Sequence, residues 1–581
     1  MNLIKKIELQ LSHAFQQAFP ELNISENPIE ITRSTHERFG HYQCNSAMKL
    51  TKILKRPPRD ISTEVLKFLE SDKTIIQHCE IAGPGFINIT LATPFVTQLC
   101  QILLDKDIEK TTAPQKIIID YPSCNAAKEM HVGHLRSAII GNSFYRLFSL
   151  LGHQVLGLNH IGDWGTSFGM LIAYIKKFQP GILSGEIKAD LTLLNQCYKA
   201  SKKIFDEDPQ FKKESQLQVV QLQKGEPQAL AAWETICEIS RKAHQEVYDL
   251  LDIQPNERGE SFYNPFLDNL IKDLEQKNLI TVSDGAKCIF LEGFSNREGE
   301  PLPYMVQKSD GGFNYDTTDL AALRYRVEVD KADRIIYVVD AGQSTHFDML
   351  FAAGIKAGYA PPEKVRLDHP GFGVVLGADG KKFKTRSGET ERLIDLLTTA
   401  VERAKAILTE RNKDHGSSLT PAEMDEISTA LGINAVKYSD LSCNRQHDYV
   451  FSYDRMLRFE GNTAAFLMYS YVRIQGIKRK VQSTDNVSSS APIQLEHPAE
   501  IALGLHIAQF EEILASIADD LMPNRLCDYL FELSEKFNAF FRDCRVEGVS
   551  EQNQRLALCD LTAKILKEGL TILGLQTVDK M

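Results

Sequence analysis

"CNAAKEMHVGHLRSAII", residues 124–140, sets Lys128, His131 and His134 close together and then turns apolar. A lysine and two imidazoles at that spacing are donors suited to an anion. His131 and His134 stand three apart, so on a helix both face one side of the first turn. Gly133 between them leaves room for a ligand to approach the backbone. A helix N-terminus adds unpaired N–H groups and the positive end of the macrodipole. Together these groups fit a polyphosphate, with N–H donors aimed at charge that builds up in a phosphoryl transition state. An isolated H-x-G-H is more often just a polar helix start, so its surroundings decide.

Those surroundings read as strand, loop, helix and strand. "KIIID" (116–120) is a short β-branched run of the kind found in fully buried strands. Leu135, Ile139, Phe144, Phe148 and Leu151 recur at helical spacing, Gly152 is a stop, and "HQVLGLNH" follows as a second strand. This is the crossover unit of a parallel sheet, in which ligands bind beyond the C-terminal strand ends. "RIIYVVD" (334–340) and "FGVVLG" (372–377) are expected as further strands of the same block. Residues 183–258, polar and helix-forming, read as an insertion. Residues 1–110 alternate helix-like and strand-like stretches, and "TTAPQ" (111–115) is a linker. The central block covers 115–420, and 421–581 reads as helices broken by one polar loop at 483–498. The expected architecture is multidomain: an α+β N-terminal domain, an α/β Rossmann-type domain with a helical insertion, and an all-α C-terminal domain.

A chain of 581 residues implies three or four units at about 150 residues each. Apolar residues at 43% and charged residues at 25% are the balance of a globular protein. No run approaches the roughly 20 consecutive apolar residues of a membrane span, so no membrane partner is expected. The N-terminus reads as an amphipathic helix rather than a signal peptide. Eleven scattered cysteines without a C-x-x-C pair suit a reducing cytoplasm and argue against zinc. A net charge of −11 does not suggest a protein that coats nucleic acid, yet phosphate contacts need only a local basic surface.

The H-x-G-H element after a first strand resembles class I aminoacyl-tRNA synthetases. The longer "DYPSCNAAKEMHVGHLRSAIIGN" and "NHIGDWGTSFGML" (159–171) resemble the arginyl-tRNA synthetase family in particular. So do "FNYDTTDLAAL" (313–323), "YVVDAGQSTHFDMLF" (337–351) and "FGVVLGADGKKFKTRSGETERLIDLL" (372–397). "FGHYQCNSAMKLTKILKRPPRDI" is similar to that family's N-terminal domain, and "YVFSYDRMLRFEGNTAAFLMYSYVRI" to its helical anticodon-binding domain. The likeness spans nearly the whole chain.

The resemblance implies ATP-dependent activation of L-arginine and transfer to the 3′-terminal ribose of tRNA(Arg). His131 and His134 would bind ATP and stabilise the transition state, with Gly133 between them. The mobile loop usually written K-M-S-K-S corresponds to "KFKTR" (382–386), where Lys382 and Lys384 remain and Thr385 replaces the second lysine. Many members carry instead a lysine three residues before the H-x-G-H, and Lys128 stands there. Arginine's guanidinium needs paired carboxylate acceptors near the strand ends. Asp120, Glu260 and Asp319 are the candidates, with Tyr315 beside the guanidinium and Asn125 and Gln343 at the α-amino and carboxylate end. Two positions depart from the family: Cys124 where proline is usual and Ser167 where glutamine is common.

For tRNA, Arg473, Lys478, Arg479 and Lys480 in "RIQGIKRK" offer a phosphate-binding helix face. Phe86 and Asn88 in "GPGFINI" match an aromatic–x–Asn pair that contacts the D-loop. Mg²⁺ is expected on the ATP phosphates rather than in a protein cage, and the chain is expected to be monomeric and to need tRNA for activation. A small nucleotidyltransferase would lack the helical C-terminal third. A catalytically silent tRNA-binding paralogue would have lost Lys128, His131 or His134. A cysteinyl-type enzyme would carry zinc ligands.

Overall fold

The computed structural model describes residues 3–69, 73–296, 298–383, 391–415, 419–484 and 491–581. The N-terminal part begins with α1 (Leu3–Ala18), whose buried Leu3, Ile7, Leu11 and Phe15 form the apolar stripe of an amphipathic helix. It continues with β1 (Ile31–Arg33), β2 (Tyr42–Cys44), α2 (Ser46–Leu54), α3 (Pro58–Leu69), β3 (Ile76–Ala82) and β4 (Phe86–Leu91). The four strands form an antiparallel sheet in the order β1-β2-β4-β3. The next helix, α4 (Thr93–Asp105), packs on helices of the C-terminal part.

The central part opens with β5 (Lys116–Asp120), α5 (Val132–Leu150) and β6 (Gln154–Asn159). Ile117, Ile118 and Ile119 of β5 are fully buried, each such side chain stabilising the sheet by roughly 1.5–3 kcal/mol. Then come α6 (Thr166–Phe178) and the helical insertion α7 (Pro180–Ser184), α8 (Leu191–Glu207), α9 (Pro209–Gln223) and α10 (Pro227–Leu250). After β7 (Asn256–Glu257) and α11 (Glu260–Gln276), strands β8 (Thr281–Ser283), β9 (Ala286–Ser295) and β10 (Pro301–Gln307) form a separate antiparallel sheet. The chain proceeds through α12 (Tyr315–Glu328), β11 (Arg334–Tyr337), α13 (Ser344–Lys356) and β12 (Arg366–Asp368).

The main sheet is parallel, in the order β12-β11-β5-β6-β7. From β5 the chain winds to β6 on one side and later to β11 on the other. The loop after β5 therefore lies at the topological switch point, where such sheets open a ligand crevice.

One expected strand falls elsewhere. "FGVVLG" contributes only β13 (Val375–Leu376), outside the main sheet. Its apolar β-branched run is what a buried strand needs, but its partner is β14 (Tyr449–Val450), from the part of the chain read as purely helical. Two strands of the main sheet, β7 and β12, were too short to stand out in sequence. Helices α14 (Leu393–His415) and α15 (Pro421–Leu441) precede β14. Then follow α16 (Tyr453–Met456), α17 (Ala464–Thr484), α18 (Pro498–Ala508), α19 (Phe510–Asp520), α20 (Asn524–Asp543) and α21 (Gln552–Ile572).

Helix α5 is buried on nearly every face, Arg136, Ser137, Asn142 and Ser143 included. The sheet covers one side, and α15, α19 and α21 cover the other. The apolar stripe seen in the sequence is thus only part of its buried surface.

Candidate active site

The anion-binding end is built by helix capping. His131 is the N-cap of α5: its Nδ1 accepts from the Gly133 N–H at 3.1 Å. His134, at N3, accepts the His131 N–H on its own Nδ1, also at 3.1 Å. In a neutral imidazole whose Nδ1 accepts, the hydrogen sits on Nε2. The capping box therefore fixes both rings as Nε2–H donors. Both stay neutral at pH 7: burial, with Lys128 and Lys382 nearby, lowers His131, and burial pushes His134 down to about 3. Gly133 has a steric reason as well, since a Cβ there would lie 2.9 Å from the His131 ring.

Lys128 lies above the Tyr198 ring at 5.2 Å, in a loop held from α10. His244 Nε2 meets the Lys128 carbonyl at 3.0 Å, and Ser240 Oγ accepts from the Ala127 N–H at 2.8 Å. Exposed Lys382 follows a tight turn, bridged to Leu376. Lys384 and Thr385 lie outside the described residues.

Asn125, in the loop after β5, is exposed, its side chain lying over Gly162. A Cβ on Gly162 would fall 1.9 Å from Asn125 Oδ1, so any side chain there would displace the Asn125 carboxamide. The preceding turn is anchored at Ser123, in the left-handed region with φ 56°. Its N–H donates to Asn159 Oδ1 at 3.1 Å and its hydroxyl to Asp120 Oδ1 at 2.5 Å. These bonds hold the turn without a proline at 124. Cys124 is buried and its thiol pushed up to about 12, so it is inert rather than redox-active. Ser167 is half-buried in the first turn of α6.

The acidic end lies where α11, α12 and α13 begin. A capping box between Asn314 and Thr317 starts α12, and Tyr304 of β10 donates to the Asp316 carbonyl at 2.8 Å. This fixes Tyr315, 61% exposed, and Asp319 one turn later. Asp319 lies between two imidazoles, His346 Nε2 at 2.7 Å from Oδ2 and His160 Nε2 at 3.4 Å from Oδ1. They hold its carboxyl far below the usual range despite burial. Glu260 opens α11 and is pushed up to about 7, mainly by burial, with Asp319 and Asp163 adding to it and His160 opposing. Asp163 secures that helix start, accepting from Ser261 N–H at 2.8 Å and Ser261 Oγ at 2.6 Å. Gln343 is exposed in a short 3₁₀ turn before α13.

Asp120 departs from expectation. Its carboxylate is buried and faces Arg326 Nη2 at 2.7 Å, itself almost fully buried. An internal guanidinium therefore already holds the acceptor expected to receive a ligand's. His160, Asp163, Asp316, Arg326 and His346 join the site although sequence reading did not assign them. His160, Asp163 and His346 lie inside recognised motifs, but no spacing signals that they meet Asp319 and Glu260.

The expected RNA-facing groups are more engaged than their sequence suggests. Phe86 is half-buried at the start of β4. Asn88 is buried, and its carboxamide oxygen accepts from Gln43 Nε2 at 2.7 Å. The basic run on α17 is likewise not an open stripe. Arg473 donates to Asn538 at 2.8 Å, Lys478 pairs with Asp560 at 2.7 Å, Arg479 donates to the Asp579 carbonyl at 3.1 Å, and Lys480 pairs with Glu547 at 2.7 Å.

Comparison with known proteins covers the chain almost completely. Residues 98–453 match the family described as tRNA synthetases class I (R), catalytic domain. Residues 467–581 match the DALR anticodon binding domain, and residues 5–91 the arginyl tRNA synthetase N terminal domain. The arginine–tRNA ligase of Protochlamydia amoebophila is 59% identical over 98% of this chain and 99% of its own length. That of Chlamydia abortus is 50% identical over 100% of both. The crystal structure of arginyl-tRNA synthetase from Plasmodium falciparum superposes with a TM-score of 0.87 at 33% identity, covering 100% of each chain.

Proposed function

We infer from a chain that belongs to the arginyl-tRNA synthetase family that its function is arginine–tRNA ligation. L-arginine and ATP give arginyl-adenylate and pyrophosphate, and the arginyl group then passes to the 3′-terminal adenosine of tRNA(Arg). One arrangement supports the reading: the loop after β5, at the switch point of the sheet, leads into the neutral donors His131 and His134, and its Ser123 hydroxyl accepts the N–H of His160, which lies against Asp319 beside Glu260.

We assign the steps to this chain's residues as follows. Arginine's guanidinium pairs with Asp319, beside Tyr315, with Glu260 as a second acceptor. Asn125 and Gln343 hold the α-amino and carboxylate end, so that the carboxylate attacks the α-phosphorus in line. Nε2–H of His131 and His134 donate to the phosphate oxygens as charge builds up on them. Lys128 and Lys382 bracket His131 and add fixed positive charge, with Lys384 a further candidate. Asp120 is reassigned: paired with Arg326, it shapes the floor of the acidic end instead of touching substrate.

The groups assigned to ATP are nitrogen donors, whereas Mg²⁺ takes oxygen ligands. That donor set fits an ion carried on the phosphate oxygens, where it supplies charge neutralisation. For tRNA we propose that Phe86 stacks on an unpaired base and that the α17 cations meet phosphates by exchanging their internal partners. The domains are proposed as 1–110, 115–420 and 421–581, and the chain as a cytoplasmic monomer.

Charging of total tRNA with each radiolabelled amino acid tests the function, with arginine-dependent ATP–pyrophosphate exchange run with and without tRNA. Charging by arginine alone, with exchange only when tRNA is present, is expected. Binding of tRNA without any charging refutes the enzyme.

A further inference from the structure

His346 stands between two carboxylates. Its Nε2 is 2.7 Å from Asp319 Oδ2 and its Nδ1 is 3.2 Å from Asp316 Oδ1. A carboxylate without a proton can only accept, so the ring satisfies both partners only with hydrogen on both nitrogens, as the imidazolium. The groups facing it are few. From α12 come Asp316, Asp319 and Tyr315, whose ring lies 5.1 Å away edge-on. From its own helix comes Phe347 at 5.2 Å, and His160 stands beyond Asp319. Burial opposes the charge, but the two carboxylates win and hold the imidazole up to about 9. His346 and Asp319 are 17% and 22% exposed, close enough to solvent to exchange partners.

We propose that His346 is a specificity-determining residue: a resident cation on Asp316 and Asp319 that loses its proton to solvent when arginine's guanidinium pairs with Asp319. This rests on the reading of Tyr315 and Asp319 as the guanidinium end. No covalent bond changes. One cation enters, one proton leaves, and Asp316 and Asp319 face the same count of positive charges before and after. Retaining both cations would leave an imidazolium against a guanidinium in a half-buried pocket, where like charges repel far more than in water. A neutral ligand of arginine's shape, such as a ureido analogue, cannot drive the proton off and meets a pocket whose acceptors are already filled. The device thus favours a cation over an isostere, which pocket shape alone does poorly.

The test is calorimetric titration of the full-length protein with L-arginine at pH 8, in two buffers of different ionisation enthalpy. With His346 titrating at about 9 and Glu260 at about 7, about 0.9 and 0.1 proton per bound arginine are expected from them. In His346→Gln, which keeps a donor toward Asp319 without a charge, release falls to about 0.1. For the unaltered protein, arginine Kd falls about eightfold from pH 7.5 to 8.5 through this group. A proton count near zero in the unaltered protein overturns the proposal, as does undiminished release in His346→Gln. The unaltered protein decides alone if that variant does not fold. Asp319→Asn separates the two readings: if it binds arginine as tightly as the unaltered protein, the guanidinium assignment itself fails, whatever the proton count.

Discussion

His131 has two separable duties, and two substitutions pull them apart. As N-cap it accepts the Gly133 N–H on Nδ1, and in the proposed mechanism it presents Nε2–H to the phosphate. Asparagine is among the best N-caps, so His131→Asn retains the first duty and loses the second. Alanine loses both. The cap is worth about 1 kcal/mol, whereas a lost transition-state donor costs about 10²–10³ in rate, or 2.7–4 kcal/mol. The rate effect therefore exceeds the stability effect. Arginine-dependent ATP–pyrophosphate exchange with saturating tRNA gives the first, and a thermal melt of each variant the second. Both variants are expected to lose at least about a hundredfold in kcat. Only the alanine variant melts earlier. If His131→Asn keeps a third of the rate, the donor role is refuted.

The pH profile of the unaltered enzyme supplies an independent check. Burial and the nearby lysines lower His131 from the ordinary imidazole range and burial holds His134 down to about 3, so both are essentially neutral between pH 7.5 and 8.5. The rate should be flat in that window as far as these groups are concerned. An acidic limb within that window that vanishes in His131→Asn would contradict the neutral-donor assignment.

Glu260 gives the opposite behaviour. Held up at about 7, it must ionise to accept a guanidinium, so its share of the arginine KM rises about fivefold as pH falls from 7 to 6. Glu260→Gln removes that component, and an unchanged pH slope would refute the role. Lys128→Met should lower exchange activity by roughly 10- to 150-fold through a lost charge-assisted contact of about 1.5–3 kcal/mol, with arginine Kd unmoved. Steady-state titration of ATP and arginine separates the two. Asp440→Ala leaves the Arg136 guanidinium unpaired at 0% exposure and should destabilise the protein by about 3–5 kcal/mol in a urea melt, with Asp440→Asn milder.

The donor end was legible because every layer of its construction is local. A β-branched run, a loop, a capped helix and a second strand follow within one short segment, and each declares itself by composition and spacing. The acidic end was legible only in part. Tyr315 and Asp319 sit one turn apart on one helix, and sequence can give that. The Asp319–His346 contact closes across 27 residues, and Arg326 reaches Asp120 from another helix; nothing in "ALRYRVE" says that its second arginine will be buried. The internal partners of the basic run on α17 were hidden for a similar reason. Its helix was readable, but Asp560 and Glu547, which neutralise two of its cations, come from the α20–α21 region and declare nothing about their facing partners.

The misplaced strand has a consequence for catalysis. Because β13 pairs with β14 and not with the main sheet, the segment that carries Lys382 is supported by residues 445–451. The Gly373 N–H donates to the Arg445 carbonyl at 2.9 Å, and the Val374 N–H to Asp448 at 2.7 Å. His131 and His134, by contrast, ride on α5. What joins the two is Arg136, on the turn of α5 after His134. Its guanidinium donates to the Gly373 carbonyl at 2.7 Å and the His447 carbonyl at 3.3 Å, and pairs with Asp440 at the end of α15 at 3.1 Å. The Phe372 and Tyr449 rings lie 5.5 and 5.3 Å from it. The placement of the two imidazoles relative to Lys382 is therefore set in part through α15, alongside the bridge from Phe372 to Asp340 just after β11. A displacement of α15, which lies within residues 98–453 matched to the catalytic domain, reaches both halves of the proposed phosphate site through one buried side chain.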